Sequence, residues 1–413
     1  MTQRVVITGM GVISPVGNDL EGYWKSLREG RSGIDTIRAF DVSEYPCRIA
    51  GEVNDFSAEN LVDLKEAKRT DRFILFALGA SDQAVKDSGL DVHREDLSRI
   101  GTIIGSGIGG LSTLENEHTK LVKRGPGRVS PFLIPMMISN MAAGRVSISF
   151  GFKGPNYAVV SACASGAHAI GDAYIGIRAG TMDVALTGGA EATVTPLALA
   201  GFCNMKALST RNEEPAKASS PFDVKRDGFV MGEGAGIVVL ESLEHARARN
   251  ARIYAELVGY GSSGDAYHIT APAPEGGGMA AAMKSAIEDA GLKPEDIDYV
   301  NAHGTSTPHN DKNETTAVKA VFKDHARSLT VSSTKSMTGH LLGASGGIEL
   351  IASILAIRDG TIPPTINYED PDPECDLNYA PNTAVKKDVR CILSNSFGFG
   401  GHNAALVARR FED

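Results

Sequence analysis

The chain has 413 residues, of which 42% are hydrophobic and 22% charged, a composition typical of a globular protein with two or three domain-sized units. Its formal net charge of −9 argues against general nucleic-acid binding, and no apolar run approaches the roughly 18 residues of a membrane span. The start of the chain shows no signal-peptide pattern, and the five scattered cysteines have neither disulfide-framework nor zinc-site spacing. We therefore expect a cytoplasmic protein with reduced thiols and with no membrane or nucleic-acid partner.

The first half of the chain alternates predicted strands and helices. Residues 5–7 predict a strand that ends at the glycine turn of residues 9–11. Residues 84–90 predict the end of a helix, with Gly89 just beyond its last turn. A buried strand at residues 100–104 then leads into a glycine-rich turn. This alternation indicates parallel sheets covered by helices.

The second half repeats the same order of elements. Residues 286–292 match residues 84–90 at an offset of 202 positions, and the helix end at residues 355–361 matches residues 175–181 at an offset of 180. The unequal offsets exclude a strict repeat array, but the preserved order indicates a duplication. We therefore predict an α/β protein of two fused halves.

Residues 159–166 draw attention to one cysteine. A β-branched run ends in small residues, Cys163 follows, and residues 166–179 have the pattern of a buried helix. A thiol at a strand-to-helix junction lies at the positive end of the helix dipole, which lowers its pKa and favours the nucleophilic thiolate. Most free cysteines are inert buried side chains, so this segment alone leaves both interpretations open.

Turns that follow strands in the second half carry His303, Lys335 and His340. Sites in open α/β sheets form at the carboxyl ends of strands, and a pseudo-twofold axis between the halves would bring these turns opposite Cys163. We therefore expect a thiol, two imidazoles and an ammonium group in one cleft, although a lone histidine is more often structural. The glycine-rich residues 395–403 offer backbone N–H groups for an oxyanion hole, or only a tight chain reversal.

Three further patterns point elsewhere or are ambiguous. Residues 105–110 fit the GxGxxG pattern of dinucleotide sites, but no acidic residue follows at the distance that binds a ribose. Pro308 separates His303 from His309 and Asp311, and no thiolate pattern supports them, so we predict no metal site. Basic clusters are either solvated faces or a docking surface for an acidic partner, and they include Lys65, Lys68, Arg69, Arg124, Arg128 and Lys206.

Together these motifs resemble the β-ketoacyl-ACP synthases, the elongating condensing enzymes of fatty acid synthesis, and they are most similar to the type II enzymes. The similarity covers essentially the whole chain, and its most specific parts are the Cys163 segment, residues 303–307 and residues 335–340. The resemblance implies the thiolase-like fold, in which two similar α/β halves form a five-layered αβαβα arrangement, usually as a homodimer. We place the division of the halves at residues 1–250 and 251–413.

The resemblance also implies roles for individual residues. Cys163 resembles the acyl acceptor, and His303 and His340 resemble the pair that promotes malonyl decarboxylation. Lys335 resembles the residue that organises the charges of the site. Asp311 and Glu349 resemble the acids that support Lys335, and Thr305 and Thr307 resemble the residues that hold the phosphopantetheine arm. Phe399 resembles a gate whose N–H joins that of Cys163 in the oxyanion hole. Ile108 resembles a residue of the acyl pocket.

Departures from the family pattern remove no catalytic group. Ala164 stands where threonine or serine is frequent, His402 stands where threonine is frequent, and Leu133 replaces a commonly aromatic residue near the acyl pocket. The change at Leu133 leaves the preferred chain length open.

The implied reaction is the decarboxylative Claisen condensation of malonyl-ACP with an acyl group on Cys163, which lengthens a fatty acid by two carbons. It needs no metal or organic cofactor beyond the phosphopantetheine of acyl carrier protein (ACP), and the basic residues named above become docking sites for this acidic partner. The alternatives are a polyketide ketosynthase, a thiolase, a cysteine hydrolase and a noncatalytic chain-length-factor-like subunit. The intact Cys163 argues against the last, and a hydrolase would leave Lys335 and one histidine without a role.

Overall fold

The computed structural model describes residues 2–412. None of the helices in this part of the chain is long and apolar enough to cross a membrane. The α-helices within it are α1 (Leu20–Glu29), α2 (Leu64–Ala67), α3 (Arg72–Ser88), α4 (Leu111–Arg124), α5 (Leu133–Met137), α6 (Met141–Phe150), α7 (Ser165–Arg178), α8 (Pro196–Asn204), α9 (Leu243–Ala248), α10 (Gly277–Asp289), α11 (Pro308–Phe322), α12 (Lys335–Thr338) and α13 (Ser345–Asp359).

The strands form one large sheet and two short ribbons. The ribbons pair β2 (Asp35–Thr36) with β3 (Ile49–Ala50), and β11 (Thr361–Ile362) with β12 (Val385–Lys386). The large sheet contains β1 (Val5–Ile13), β4 (Ile100–Gly105), β5 (Asn156–Val159), β6 (Val184–Glu191), β7 (Gly234–Ser242), β8 (Ala255–Gly264), β9 (Tyr299–Asn301), β10 (Thr330–Ser332), β13 (Cys391–Gly398) and β14 (His402–Arg409).

The order of strands in the large sheet confirms the duplication. The first half runs β5-β4-β6-β7-β1 and the second half runs β10-β9-β13-β14-β8, and a short antiparallel pairing of β1 with β8 joins them. In each half the first three strands pair in parallel, and the two remaining pairings along the order are antiparallel. The prediction of parallel sheets is therefore correct for three strands of each half. The predicted division at residue 250 falls between α9 and β8 and stays a proposal.

The glycines of residues 9–11 lie inside β1, so the turn predicted there is wrong. They allow close packing of a helix on the strand, because a Cβ atom at Gly9 would lie 2.3 Å from the carbonyl oxygen of Ala84 in α3. The second half uses the same device, since a Cβ atom at Gly259 in β8 would lie 2.2 Å from the carbonyl oxygen of Ala286 in α10. The repeated glycines mark a strand under a helix rather than the end of a strand.

The layers follow the predicted five-layered αβαβα arrangement. On the outer face of the first half, α3 packs on β1 and β7, and on the outer face of the second half α10 packs on β8 and β14. Between the two halves of the large sheet, α7 and α13 pack on each other and contact strands of both halves. The side chains of α13 are buried from Ser345 to Ile357, which explains why its sequence lacks an amphipathic pattern. These two central helices begin at the site described below.

Candidate active site

The nucleophile predicted at Cys163 lies on a sharp turn between β5 and α7. Ala162, the residue before it, has a φ angle of 52°, in the left-handed region that non-glycine residues rarely adopt. The counterpart in the second half is Leu342, with a φ angle of 49°, followed by Gly343 and α13. The two turns therefore share one conformation, but only the first half places a reactive side chain on it.

Burial dominates the chemistry of the Cys163 thiol. The side chain is 7% exposed, and burial raises the pKa of the thiol to about 12 although the Lys335 charge and the N–H of Phe399 lower it. The expectation that the helix dipole gives a lowered pKa is therefore wrong for this structure. A protonated thiol needs a neighbouring base before it attacks a carbonyl carbon.

His303 and His340 provide two neutral imidazoles beside this thiol. Sγ of Cys163 and one ring nitrogen each of His303 and His340 all lie within 4.8 Å of one another. The centroids of the two imidazole rings are 5.2 Å apart, and the rings meet at an interplanar angle of 85°. Burial, and then the charge of Lys335, lowers the pKa of both histidines well below the usual value. Both rings are therefore neutral near pH 7 and can each accept a proton at one nitrogen and donate one from the other.

Hydrogen bonds hold the imidazole of His340 and the backbone turn that carries His303, whose ring Nδ1 is buried without a hydrogen-bond partner among the described residues. Nδ1 of His340 lies 3.0 Å from Oγ of Ser345, the first residue of α13. The backbone N–H groups of His303 and Gly304 donate to the two carboxylate oxygens of Glu314 over 2.8 Å each, and Asn395 donates to the same carboxylate. Sequence reasoning missed Glu314, and its position one turn beyond Asp311 on α11 is the only signal that pointed to it.

Lys335 and Glu349 form a buried ion pair below the histidines. Both side chains are 1% exposed, and Nζ of Lys335 donates to Oε1 of Glu349. Burial raises the pKa of Glu349 to about 7, although Lys335 acts in the opposite direction. Asp311 has other partners than Lys335, because its carboxylate accepts from the N–H of Phe222 and lies 3.6 Å from Nε of Arg226. The structure therefore corrects the set of supporting acids to Glu349 at Lys335 and Glu314 behind His303.

The turn after β13 brings two backbone groups to the nucleophile. The N–H of Phe399 donates to the Cys163 sulfur, which lowers the pKa of the thiol. Gly398 allows this approach, since a Cβ atom there would lie 3.1 Å from the Cys163 nitrogen and 2.7 Å from the Ser161 oxygen. The N–H groups of Phe399 and Cys163 both lower the pKa of the thiol, and their role as an oxyanion hole stays a prediction.

A pocket of about 390 Å³ connects these groups to the surface. Thr305 and Thr307 line it with their hydroxyl oxygens 2.9 Å apart, so both predicted holders of the phosphopantetheine arm face the same space. The other predicted residues that line it are Cys163, His303, His340, Ile108, Phe399 and Lys206. Lys335 and Glu349 lie behind this wall.

The remaining basic residues lie on other parts of the surface. Lys65 and Arg69 line a second cavity of about 410 Å³, where the guanidinium of Arg69 stacks 4.4 Å above the ring of Phe132. Lys68 ends α2, and Arg124 and Arg128 lie at the end of α4 and in the turn after it. Of the six predicted docking residues, Lys65 and Arg69 thus line one cavity and Lys206 lines the other.

Among the described residues, the Cys163 thiol and the two imidazoles also form a cluster of three potential metal ligands. Thiolate and imidazole are ligands that Zn²⁺ accepts, but the buried charge of Lys335 beside them disfavours a cation. The absence of a metal from the reaction stays a prediction.

Comparison with known proteins assigns the family. The β-ketoacyl synthase N-terminal domain matches residues 2–246, and the β-ketoacyl synthase C-terminal domain matches residues 254–369. The 3-oxoacyl-(acyl-carrier-protein) synthase 2 proteins of Synechocystis sp. and Staphylococcus aureus are each 55% identical to this chain over 410 residues, with 99% of both chains covered.

Solved structures share the whole fold. A ketosynthase in complex with its type II polyketide acyl-carrier protein superposes with a TM-score of 0.93 at 35% identity, covering 100% of both chains. A β-ketoacyl synthase from Burkholderia phymatum superposes with the same TM-score at 37% identity, covering 99% of this chain and 100% of its own. The chain belongs to the β-ketoacyl synthase family.

Proposed function

We propose that the protein is a fatty-acid-elongating 3-oxoacyl-ACP synthase, an acyltransferase that condenses malonyl-ACP with an acyl group held on Cys163. The observation that carries the proposal is a buried thiol with two neutral imidazoles within 4.8 Å, in a chain 55% identical to 3-oxoacyl-ACP synthases. No metal and no organic cofactor takes part beyond the phosphopantetheine that carries the substrates.

The first step transfers the acyl chain to the enzyme. A neutral imidazole accepts the thiol proton of Cys163, and the sulfur attacks the thioester carbonyl carbon of acyl-ACP. The N–H groups of Cys163 and Phe399 stabilise the negative oxygen of the tetrahedral intermediate. The phosphopantetheine sulfur then leaves, takes up the proton and departs with ACP.

The second step generates the carbon nucleophile from malonyl-ACP. Loss of the carboxylate as CO2 leaves an enolate whose thioester oxygen is negatively charged. When the hydroxyl of Ser345 donates to Nδ1 of His340, the Nε2–H of this ring is free to donate to that oxygen, and His303 supplies a second N–H. The enolate carbon then attacks the acyl-Cys163 carbonyl, the bond from this carbonyl to the Cys163 sulfur breaks, and β-ketoacyl-ACP is released. The Cys163 thiolate takes up a proton and regenerates the thiol.

Sequence identity favours the fatty-acid-elongating condensation over the alternative functions. The fatty acid enzymes are 55% identical to the chain, whereas the polyketide ketosynthase with its carrier protein is 35% identical. A noncatalytic subunit would not need Cys163 on its strained turn. A cysteine hydrolase would not need the buried pair of Lys335 with Glu349.

Incubation of the protein with acyl-ACP and malonyl-ACP tests the proposal. We expect one CO2 and one β-ketoacyl-ACP per acyl group consumed, and loss of the β-ketoacyl-ACP product in Cys163→Ser. Cys391→Ser, a change at another buried cysteine, is the matched control and should stay active. Release of free fatty acid, or chains extended by several units in succession, would refute the proposed reaction.

ACP is the macromolecular partner that we propose. A related ketosynthase has been solved with its acyl carrier protein, and Lys65 and Arg69 at one cavity and Lys206 at the other complement an acidic partner. Lys65, Lys68, Arg69, Arg124, Arg128 and Lys206 form the proposed docking surface.

We also place the protein in the cytoplasm, because its five cysteines are free thiols.

A homodimer completes the proposal. Strand β5 is one of the two edge strands of the large sheet, and Tyr157 and Val160 at this edge are 41% and 59% exposed. Ile148 on α6 and Ile175 on α7 add 66% and 52% exposed apolar side chains. An open edge with exposed apolar side chains favours pairing with a second copy. Val160→Glu should therefore give monomers in light scattering, whereas Val224→Glu, at another exposed valine, should leave the dimer intact.

A further inference from the structure

Glu191 is a buried carboxylate that the proposed reaction does not use. It ends strand β6, its side chain is 0% exposed, and five groups donate to its two oxygens. Oε1 accepts from Oγ of Ser106 over 3.1 Å and from the N–H groups of Ile108 and Gly109 over 3.2 and 3.4 Å. Oε2 accepts from the N–H groups of Gly107 and Gly343 over 2.7 and 3.1 Å.

These donors belong to two segments that meet under the nucleophile. Residues 106–109 follow β4 and carry Ile108 into the pocket wall beside Cys163. Gly343 comes from the other half of the protein, at the position that Cys163 occupies in the first half. A Cβ atom at Gly343 would lie 2.7 Å from Oε2 of Glu191 and 2.4 Å from the nitrogen of Gly107, so the three groups are in close contact. One carboxylate thus ties the pocket wall of the first half to the second half.

We propose that Glu191 is a positioning residue that holds the Ile108 segment against the second half and so sets which acyl chains reach Cys163. The inference rests on the proposed function, because it concerns the acyl pocket of that reaction. Four of the five donors are backbone N–H groups, so the position requires an acceptor at both oxygens. In either orientation, a glutamine would point its NH2 group at two of these backbone N–H groups.

The negative charge of Glu191 has a second consequence for the nucleophile. It is one of the groups that raise the pKa of the Cys163 thiol, and it acts against Lys335 and the N–H of Phe399. Removing the charge should therefore increase the thiolate fraction even where the geometry of the pocket is disturbed. A residue that served folding alone would not produce this combination of effects.

The test compares Glu191→Gln and Glu191→Asp with Glu256→Gln, a control at a buried carboxylate that pairs with Arg4 and Arg409 away from the pocket. Acylation rates of Cys163 are measured by mass spectrometry for acyl-ACPs of several lengths. We expect the ratio between preferred and poor chain lengths to fall about fivefold or more in Glu191→Gln. Malonyl-ACP decarboxylation in the Cys163→Gln background should stay within about twofold, because the histidines are untouched.

A chain-length profile that is unchanged in Glu191→Gln would overturn the proposal. An equal loss of acylation rate for all acyl chain lengths, as in the control, would overturn it too. If Glu191→Gln fails to fold, Glu191→Asp decides the question. It keeps both acceptors but withdraws them by about 1.5 Å, one methylene group, so the profile must shift.

Alkylation of Cys163 by iodoacetamide separates this inference from the proposed function, because it needs no ACP. Glu191→Gln should react about twofold faster or more at pH 8, and Glu256→Gln at the wild-type rate. Wild-type protein that does not condense its substrates would refute the proposed function. Equal alkylation rates in Glu191→Gln and wild type would refute the inference about Glu191.

Discussion

Replacement of Lys335 by methionine should make the stability of the protein depend on pH above neutrality. Methionine keeps most of the aliphatic volume, so the main change is loss of the ammonium group from a pair whose side chains are 1% exposed. Removal of one partner from a buried ion pair costs about 3–5 kcal/mol when the other stays charged. Glu349 avoids part of this cost by binding a proton.

The pKa of Glu349 sets the pH range of the effect. In the wild type the pKa of Glu349 is about 7, well above the value of about 4.3 in an unfolded chain. As the pH rises from about 4.3 to about 7, this carboxyl group therefore destabilises the native state progressively. Above pH 7 its destabilising contribution stays constant. Loss of Lys335 removes two influences that lower the pKa, so the pKa of Glu349 rises further and the decline continues above pH 7. The difference in unfolding free energy between wild type and variant should therefore grow by about 1.4 kcal/mol per pH unit.

Urea unfolding at about pH 6.5, 7.5 and 8.5 measures this difference directly. The double variant Lys335→Met/Glu349→Gln has no titrating carboxyl group at this site. Its difference in unfolding free energy from the wild type should therefore not grow with pH as that of Lys335→Met does. A constant difference between Lys335→Met and wild type across this range would show that Glu349 is not held by Lys335 as the structure indicates.

Three further changes test the site. In the Cys163→Gln background, His303→Ala should slow malonyl-ACP decarboxylation about 100-fold or more, and full retention of decarboxylation would exclude the role of His303. Glu314→Gln should reduce kcat of the wild-type reaction about 10-fold or more through misplacement of His303, with unchanged kcat as the contrary result. Lys65→Glu with Arg69→Glu should raise KM for ACP substrates about fivefold and weaken its salt dependence, and unchanged values would exclude this part of the docking surface.

The fold was largely readable from the sequence because the duplication preserves local signals. Helix ends such as Gly89, and the order of strands and turns, repeat in both halves. The glycines of residues 9–11 misled because glycine serves two purposes, and only the packed helix α3 shows that these residues need close contact rather than a turn. The antiparallel strands β1 and β7 also depend on how the chain returns to the sheet, which no local pattern reveals.

The side chains of the candidate site were predictable, but their surroundings were not. Cys163, His303 and His340 stand in distinctive turns, whereas Glu314 and Glu191 accept from backbone N–H groups that carry no sequence signature. The pKa of the thiol was predicted in the wrong direction, because the helix start is a local feature and burial is a property of the folded chain.

A single-turnover reaction of acylated enzyme tests the central claim, that Cys163 holds the chain while the second half generates the carbon nucleophile. The protein is acylated by acyl-ACP, freed of ACP, and mixed with malonyl-ACP, and the Cys163 peptide is followed by mass spectrometry. We predict that the acyl mass leaves Cys163 as an equal amount of β-ketoacyl-ACP and CO2 forms. Release of CO2 while the acyl group stays on Cys163, or its loss as free acid, would contradict the account.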